Sequence, residues 1–255
     1  MATGQNRTSL VAGLVSMAAV LLAPAFALAQ TAQGFYIGAG AGLNFSSLPE
    51  SSQGDTRIST NEGPVVLGSV GYRFGYGLRA ELEGSYRNNG LNSIYTLRQN
   101  SEFLPLANVH GALSAPAVMA NLLYDIPVAL PVKPYIGAGI GHSWLDFGNG
   151  GGNGFGAFNL PLGNIVTGPD RVQFGSAGAF AYQVILGAAL PIPAFPRLEA
   201  TVEYRFFGTA RANVPTLRTS TSNIVVNGSI PSVTSENGLA MHDNAILIGV
   251  RYNLW

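Results

Sequence analysis

Apolar and polar residues alternate along eight stretches of the chain, most of them about ten residues long. Successive side chains of a β-strand point to opposite faces, so this period-two pattern predicts strands with one apolar and one polar face. The start of the sixth strand stays open, because the residues before it are nearly all small or apolar. The predicted strands are 35–45, 65–74, 78–87, 117–126, 135–147, a stretch ending at Leu190, 197–207 and 245–255.

The connections between these strands alternate between long and short. Long polar connections are predicted at 46–63, 88–114, 148–171 and 208–241, and short turns at 75–77, 127–133 and 191–196. This order predicts an all-β fold, an eight-stranded antiparallel up-and-down transmembrane β-barrel. Transmembrane barrels have short periplasmic turns and longer extracellular loops, so the four long connections are expected outside the cell.

Composition supports strands that face lipid. Charged residues are 10% of the 255-residue chain, against roughly 25% in ordinary domains. Mean hydropathy is +0.25, yet after residue 30 no apolar run reaches the ~20 residues of a transmembrane helix. The 13 basic and 13 acidic residues balance, so nucleic acid is not an expected partner. The chain has no cysteine, which excludes disulfides and thiolate chemistry.

The first residues are typical of a secretory signal peptide. Arg7 supplies a positive charge, an apolar segment follows at 10–22, and Ala-Leu-Ala at 27–29 forms a small-x-small cleavage site. The predicted division is a signal peptide over 1–29 and a barrel domain over 30–255.

Two stretches resemble a known family. Residues 119–141 read MANLLYDIPVALPVKPYIGAGIG, which resembles the central hairpin of the outer-membrane β-barrel domain family related to the OmpA barrel and the opacity-type surface proteins. Residues 245–255, AILIGVRYNLW, resemble the closing aromatic strand of such barrels. The resemblance implies a Gram-negative outer-membrane location, without a peptidoglycan-binding domain. The implied partners are the lipid bilayer, lipopolysaccharide and the barrel-assembly machinery, which reads the last strand.

Charged residues fall mainly on the polar faces of the predicted strands, so we expect them in the lumen. An eight-stranded barrel is just wide enough for its own side chains, and buried charges are costly unless paired. Strands three and seven lie opposite each other, which predicts a pair between Arg79 and Glu199. The same geometry predicts a second pair between Glu83 and Arg205. The predicted lumen charge network is Arg73, Arg79, Glu81, Glu83, Arg87, Asp125, Glu199, Glu203, Arg205 and Arg251.

The first and fifth strands share a motif. Residues 36–42 read YIGAGAG and residues 135–141 read YIGAGIG. An ancient duplication and the common demands of barrel patterning both account for the repeat. In either case, the glycines leave room in the lumen for long side chains.

Aromatic residues near the strand ends have the placement of membrane-interface girdles. The predicted interface aromatics are Phe74, Tyr124, Trp144, Tyr204, Phe206, Tyr252 and Trp255.

Three functions remain open for such a barrel. A neutral, filled lumen indicates a surface or structural protein whose loops contact a host or surface ligand. An open path past the same charges would make a narrow, porin-like channel for small solutes or ions.

A lipid-modifying enzyme would need a histidine, a serine and an acid at the outer rim. Because adjacent residues of a strand point to opposite faces, neither His142 with Ser143 nor His242 with Asp243 forms a dyad on one face. Action across strands stays open for these histidines, so a lipid-modifying enzyme remains the remote alternative. Our expectation is a protein that is not an enzyme, with no catalytic, cofactor or metal site, since no histidine spacing suggests a metal.

Overall fold

All regular structure in the described part of the chain is β-strand. The computed structural model describes residues 33–47, 56–97, 103–105, 107–148, 150–160, 163–222 and 228–254. Within those residues no helix is long and apolar enough to cross a membrane. The strands are β1 (Gly34–Ser47), β2 (Thr56–Thr60), β3 (Gly63–Gly75), β4 (Leu78–Leu97), β5 (Phe103–Pro105), β6 (Ala107–His110), β7 (Ala112–Ser114), β8 (Ala117–Asp125), β9 (Lys133–Asp146), β10 (Gly151–Leu160), β11 (Gly163–Phe174), β12 (Ser176–Ile192), β13 (Phe195–Thr209), β14 (Ala212–Ser222), β15 (Gly228–Leu239) and β16 (His242–Asn253).

Eight of these strands form a closed antiparallel ring. The ring runs β1, β3, β4, β8, β9, β12, β13 and β16, and β16 pairs with β1 to close it. These are the eight strands that the alternation predicts, in the same order. The predicted all-β up-and-down barrel is therefore confirmed.

Several strand boundaries differ from the prediction. The largest difference is at β4, which continues to Leu97, so the first ten residues of the connection predicted over 88–114 belong to a barrel strand. β12 begins at Ser176, which resolves the open start of the sixth strand. It continues to Ile192, and β13 begins at Phe195, so the connection predicted over 191–196 contracts to a two-residue turn. Prolines are tolerated at the ends of strands, where a ladder hydrogen bond is not needed.

The four long connections contain further strands that the sequence analysis did not predict. β2, β5 and β7 pair with β4, while β6, β10, β11, β14 and β15 form a separate five-stranded sheet. We call the part of the molecule formed by β2, β5, β6, β7, β10, β11, β14 and β15 the extension. The opposite end of the barrel, which carries the short turns, is the turn end. Polar composition concealed these strands, because strand formation depends more on pairing and burial than on propensity.

The extension is organised around its own apolar core. Leu145, near the end of β9, and Phe147, just after that strand, are fully buried in it. Phe147 packs against Phe174 with ring centroids 5.4 Å apart. The buried members of this core are Ile58, Leu91, Ile94, Leu113, Ala115, Leu145, Phe147, Phe174, Ala179, Ala212, Val214, Leu239 and Met241.

The outer face of the barrel exposes large apolar side chains in the middle of its strands. Leu82 on β4 is 61% exposed and Ile248 on β16 is 69% exposed, while their sequence neighbours point inward. Soluble monomers rarely expose contiguous apolar surfaces of this size. The outward-facing side chains of the barrel strands are therefore suited to contact with the hydrocarbon of a membrane.

Candidate functional site

The lumen is the candidate site, and all ten predicted network residues lie on inward-facing positions of the barrel strands. Seven are buried, and the remaining three, Glu81, Asp125 and Glu203, are partly buried. The period-two pattern places them there, because each occupies the polar face of its strand. Their contacts divide them into layers along the barrel axis.

The central layer contains the predicted pair between Glu83 and Arg205. Arg205 Nη1 donates to Glu83 Oε2 across the lumen at 2.5 Å, and its Nε donates to Glu203 Oε2 at 2.7 Å. Asn121 Nδ2 donates to the same Glu83 oxygen at 2.9 Å, and Gln183 Nε2 donates to Asn121 Oδ1 at 2.7 Å. One guanidinium thus bridges two carboxylates, and side-chain amides support the layer.

A second layer lies nearer the turn end and is centred on Glu199. Its Oε2 accepts hydrogen bonds from Arg73 Nη2 at 2.8 Å and from Arg251 Nη1 at 3.2 Å. Lys133 approaches the other oxygen at 3.4 Å. Three cations therefore surround one carboxylate.

The predicted pair between Arg79 and Glu199 is wrong. Arg79 instead binds Asp125, with its Nη2 2.8 Å from Asp125 Oδ1. Asp125 lies at the end of the neighbouring strand β8, where Leu123 is the direct cross-strand partner of Arg79. Barrel strands tilt against the axis, so equal distances along opposite strands do not guarantee equal depth. A carboxylate on the adjacent strand is the nearer partner.

Two tyrosines of the repeated motif belong to the network, although the sequence analysis did not include them. Tyr36 and Tyr135 are buried in the lumen, at 0% and 1% exposure. Tyr36 Oη donates to Glu81 at 3.0 Å, and Tyr135 Oη donates to Glu203 at 2.5 Å. Arg79 lies over both rings, 5.5 Å and 4.8 Å from their centroids. Both tyrosines begin the repeated Tyr-Ile-Gly-Ala-Gly sequence, and this repeat could have indicated that they occupy equivalent positions in the lumen.

Arg87 lies nearer the extension than the other network arginines, and its surroundings differ from those of the central and turn-end layers. Arg87 Nε is 3.7 Å from Asp243 Oδ2, and the guanidinium lies 3.8 Å over the Phe207 ring. Asp243 also accepts a hydrogen bond from Asn44 Nδ2 at 2.9 Å. Sequence reasoning considered Asp243 only as a neighbour of His242 and missed it as a lumen residue.

Apolar side chains separate this outer arginine from the central layer. Phe207 and Met119 are almost fully buried and form a small cluster with Ala117 and Ala181. The extension core lies beyond Arg87, on the side away from the turn end. Polar and apolar layers therefore alternate along the lumen. Beside the central layer is a cavity of about 20 Å³, lined in part by Gly38, Gly40, Ser69, Glu81, Glu203 and Arg205. That volume is close to what a single water molecule requires.

The predicted interface aromatics lie on the outer face near the two ends of the barrel. Phe74, Tyr124 and Tyr252 lie toward the turn end, and Trp144, Tyr204 and Phe206 toward the extension. All but the partly buried Phe206 are exposed. Trp255 lies outside the described residues.

The histidine pairs adopt the arrangement expected of a strand. His142 and His242 point outward, whereas Ser143 and Asp243 are buried in the lumen. Neither pair converges on a common face. Across the described ranges, no group of three or more His, Asp or Glu side chains is placed to hold a metal ion.

Comparison with known proteins agrees with this geometry. The family model of the outer membrane protein beta-barrel domain matches residues 14–253. A relative from Gluconacetobacter diazotrophicus named "Outer membrane protein" is 31% identical over 267 residues, covering 96% of this chain and 63% of the relative. The chain thus spans less than two thirds of that relative's length.

The solved structures to which this chain is similar are much more distant in sequence. A major outer membrane protein from Thermus thermophilus has a TM-score of 0.50 at 13% identity, covering 88% of this chain and all of that chain. Neisserial surface protein A has a TM-score of 0.47 at 17% identity, covering 87% and 97% of the two chains. At 13% identity, the Thermus structure supports a shared fold alone. Given the ring of eight strands and a family match over almost the whole length, this chain belongs to the outer membrane protein beta-barrel domain family and is a protein of the bacterial outer membrane.

Proposed function

We propose that the protein is a non-conducting surface protein, in which a filled barrel holds the extension outside the outer membrane. The observation that carries this proposal is the layered lumen. A path along the axis would have to cross the Glu83–Arg205 layer, the layer around Phe207 and the extension core. The cavity of about 20 Å³ beside the central layer is far too small to hold a solute larger than water.

Charge balance supports a stable plug. Among the described residues, six cationic and six acidic side chains take part in the lumen contacts given above. Isolated buried charges are strongly unfavourable, whereas hydrogen-bonded pairs are tolerated. The balanced set is Arg73, Arg79, Arg87, Lys133, Arg205, Arg251, Glu81, Glu83, Asp125, Glu199, Glu203 and Asp243.

The extension is the part that we assign to surface contacts with a host or another surface ligand. Short turns of such barrels face the periplasm, which puts the extension on the extracellular side. A shared apolar core holds the strands of the extension together, which separate loops would lack. On the outer face, the exposed aromatics would contact the headgroup region and lipopolysaccharide.

Export and assembly complete the proposal. Residues 1–29 would be removed as a signal peptide, and β16 would be the strand recognised by the barrel-assembly machinery. N-terminal sequencing of protein isolated from outer membranes should begin at Gln30. Recovery of a chain that begins at Met1 would contradict this processing.

Osmotic swelling of proteoliposomes tests the non-conducting function. The chain without residues 1–29 is refolded into vesicles, and swelling is followed in isotonic solutions of small sugars. We expect the rate of protein-free vesicles, while a general porin at equal protein density gives rapid swelling. Swelling that increases with the amount of refolded protein would favour the porin-like channel instead. Resistance of the barrel to unfolding by detergent at room temperature establishes that the protein has folded.

A further inference from the structure

A groove lies on the outer face of the barrel, where β3 and β4 each carry a glycine. Gly68 and Gly84 are direct cross-strand partners, and both occupy outward-facing positions. Among the described residues, a Cβ added to either glycine would meet nothing within 4 Å. Val66 and Tyr86 flank the pair on the side of the extension, and the groove has a volume of about 370 Å³. The two glycines thus leave an open depression in the apolar outer face.

The walls of the groove are apolar toward the turn end and toward β1. Val70 and Leu82 pair across the same two strands and are 54% and 61% exposed. Ala39 of β1, the other neighbour of Gly68, adds only a methyl group. Because this face of an outer-membrane barrel lies against hydrocarbon, water does not fill the groove. An empty groove would forfeit the dispersion contacts of its walls, so an apolar occupant is favoured.

Uncharged polar side chains lie at the extension side of the groove. The Tyr86 and Ser114 hydroxyls are 3.0 Å apart, and Asn88 Nδ2 donates to both, at 3.2 Å and 2.9 Å. A hydroxyl has one donor and two acceptor sites, so this cluster can both donate and accept. Asp146, the exposed cross-strand partner of Ser114, carries a carboxylate that disfavours a phosphate. The cluster therefore suits a neutral hydroxyl or amide at the end of an acyl chain.

We propose that the groove holds an acyl chain of lipopolysaccharide, with the polar groups near its attachment bound at Tyr86. Lipopolysaccharide offers donors and acceptors there, because its acyl chains carry hydroxyls and are partly linked to sugar through amides. The ester linkages of phospholipids only accept. The inference rests on the proposed orientation, because the extension side of the barrel must meet the outer leaflet. It does not depend on whether the lumen conducts.

Nuclear Overhauser transfer from lipid acyl protons to barrel amide protons tests the groove. The chain without residues 1–29, perdeuterated and with its amide protons restored, is refolded into nanodiscs of rough lipopolysaccharide mixed with phospholipid. One sample contains protonated lipopolysaccharide and deuterated phospholipid, and a second has the reverse labelling. The ratio of the two signals at one amide cancels differences in how closely that amide approaches lipid. We expect this ratio to be several-fold higher at Gly68 and Gly84 than at Ala138, an exposed outward-facing position of β9.

Variants of the groove separate a specific site from ordinary lipid contact. Gly84→Leu fills the groove and should lower the ratio at Gly68 to that at Ala138. Ala138→Leu, the matched change elsewhere on the outer face, should leave the ratio at Gly68 unaltered. Tyr86→Phe keeps the wall but removes the hydroxyl, and should lower the ratio at both glycines.

Several results would overturn the proposal. Equal ratios at the three positions would indicate ordinary boundary lipid, and lower ratios at the glycines would indicate phospholipid. Lipid signals at Ala138 but at neither glycine would indicate a second copy of the chain in the groove. Ratios unchanged in both Gly84→Leu and Tyr86→Phe would also contradict the site. Both leaflets of a nanodisc have the same composition, so these results are independent of orientation, and vesicle swelling still tests the non-conducting function separately.

Discussion

The turn-end half of the lumen and its outer part bury arginines in different ways. Toward the turn end and at the centre, Arg73, Arg79, Arg205 and Arg251 each lie within 3.2 Å of a carboxylate oxygen. In the outer part, Arg87 lies 3.7 Å from its carboxylate and covers an aromatic ring. Arginines of both regions lie over aromatic rings, so the difference is in the carboxylate contact, which is direct toward the turn end and at the centre and longer at Arg87.

The two regions also differ in what surrounds the charges. Around the central layer, the amides of Asn121 and Gln183 and the hydroxyls of Tyr36 and Tyr135 add hydrogen bonds to the carboxylates. Above Arg87 the interior becomes the apolar core of the extension. Breaking one ion pair should therefore weaken the barrel as a whole, and removing one core side chain should loosen the extension.

The largest effect is expected from breaking the central pair on one side only. Glu83→Leu leaves Arg205 buried with Glu203 as its remaining carboxylate contact, and removing one partner of a buried pair costs ~3–5 kcal/mol. Urea unfolding of the refolded barrel in lipid vesicles measures the loss. The double variant Glu83→Leu with Arg205→Leu should lose less than the two single losses combined, by ~1–3 kcal/mol. Additive losses would show that the two residues are not coupled.

A core substitution in the extension should have a more local effect. Phe147→Ala removes a fully buried ring from the extension core, at a cost of roughly 3 kcal/mol where the site cannot collapse. We expect limited proteolysis to cut the extension several-fold faster, while the barrel keeps its folded mobility in unheated gel samples. Loss of folded barrel along with the extension would show that the two regions form one cooperative unit.

The smallest effect comes from glycines of the barrel wall. An added Cβ at Gly187 would overlap the ring of Tyr135, which is fixed by its bond to Glu203. Gly187→Ala should therefore cost ~1–3 kcal/mol in urea unfolding. Gly84→Ala is the matched control, because nothing lies within 4 Å of its added Cβ. That change should stay within ~0.5 kcal/mol. Equal costs at both sites would contradict the packing of Tyr135.

The barrel could be predicted from the sequence because one physical cause sets the alternation of apolar and polar residues along every barrel strand. Side chains alternate between lipid and lumen, so one-residue shifts would place charges in lipid, and all ten predicted charges lie inward. The motif at residues 36–42 and 135–141 contained more information than was used. It places two tyrosines at equivalent lumen positions, facing Glu81 and Glu203.

The remaining features depend on three-dimensional relations that alternation does not contain. Arg79 selects Asp125 rather than Glu199 because strand tilt and a neighbouring strand end decide which carboxylate is nearest. The extension strands lie in stretches rich in Gly, Ser and Asn. They are held by pairing and by a core assembled from four separate connections and the ends of the barrel strands.

Single-channel conductance of the refolded mature chain in a planar bilayer tests the filled lumen most directly. A filled lumen predicts a silent bilayer under an applied voltage, with refolding verified in the same preparation. Discrete, reproducible current steps would contradict it. If charge reversal at Glu83 or Arg205 then changed the ion selectivity of those steps, the conducting path would pass through the layer that we assign as the plug.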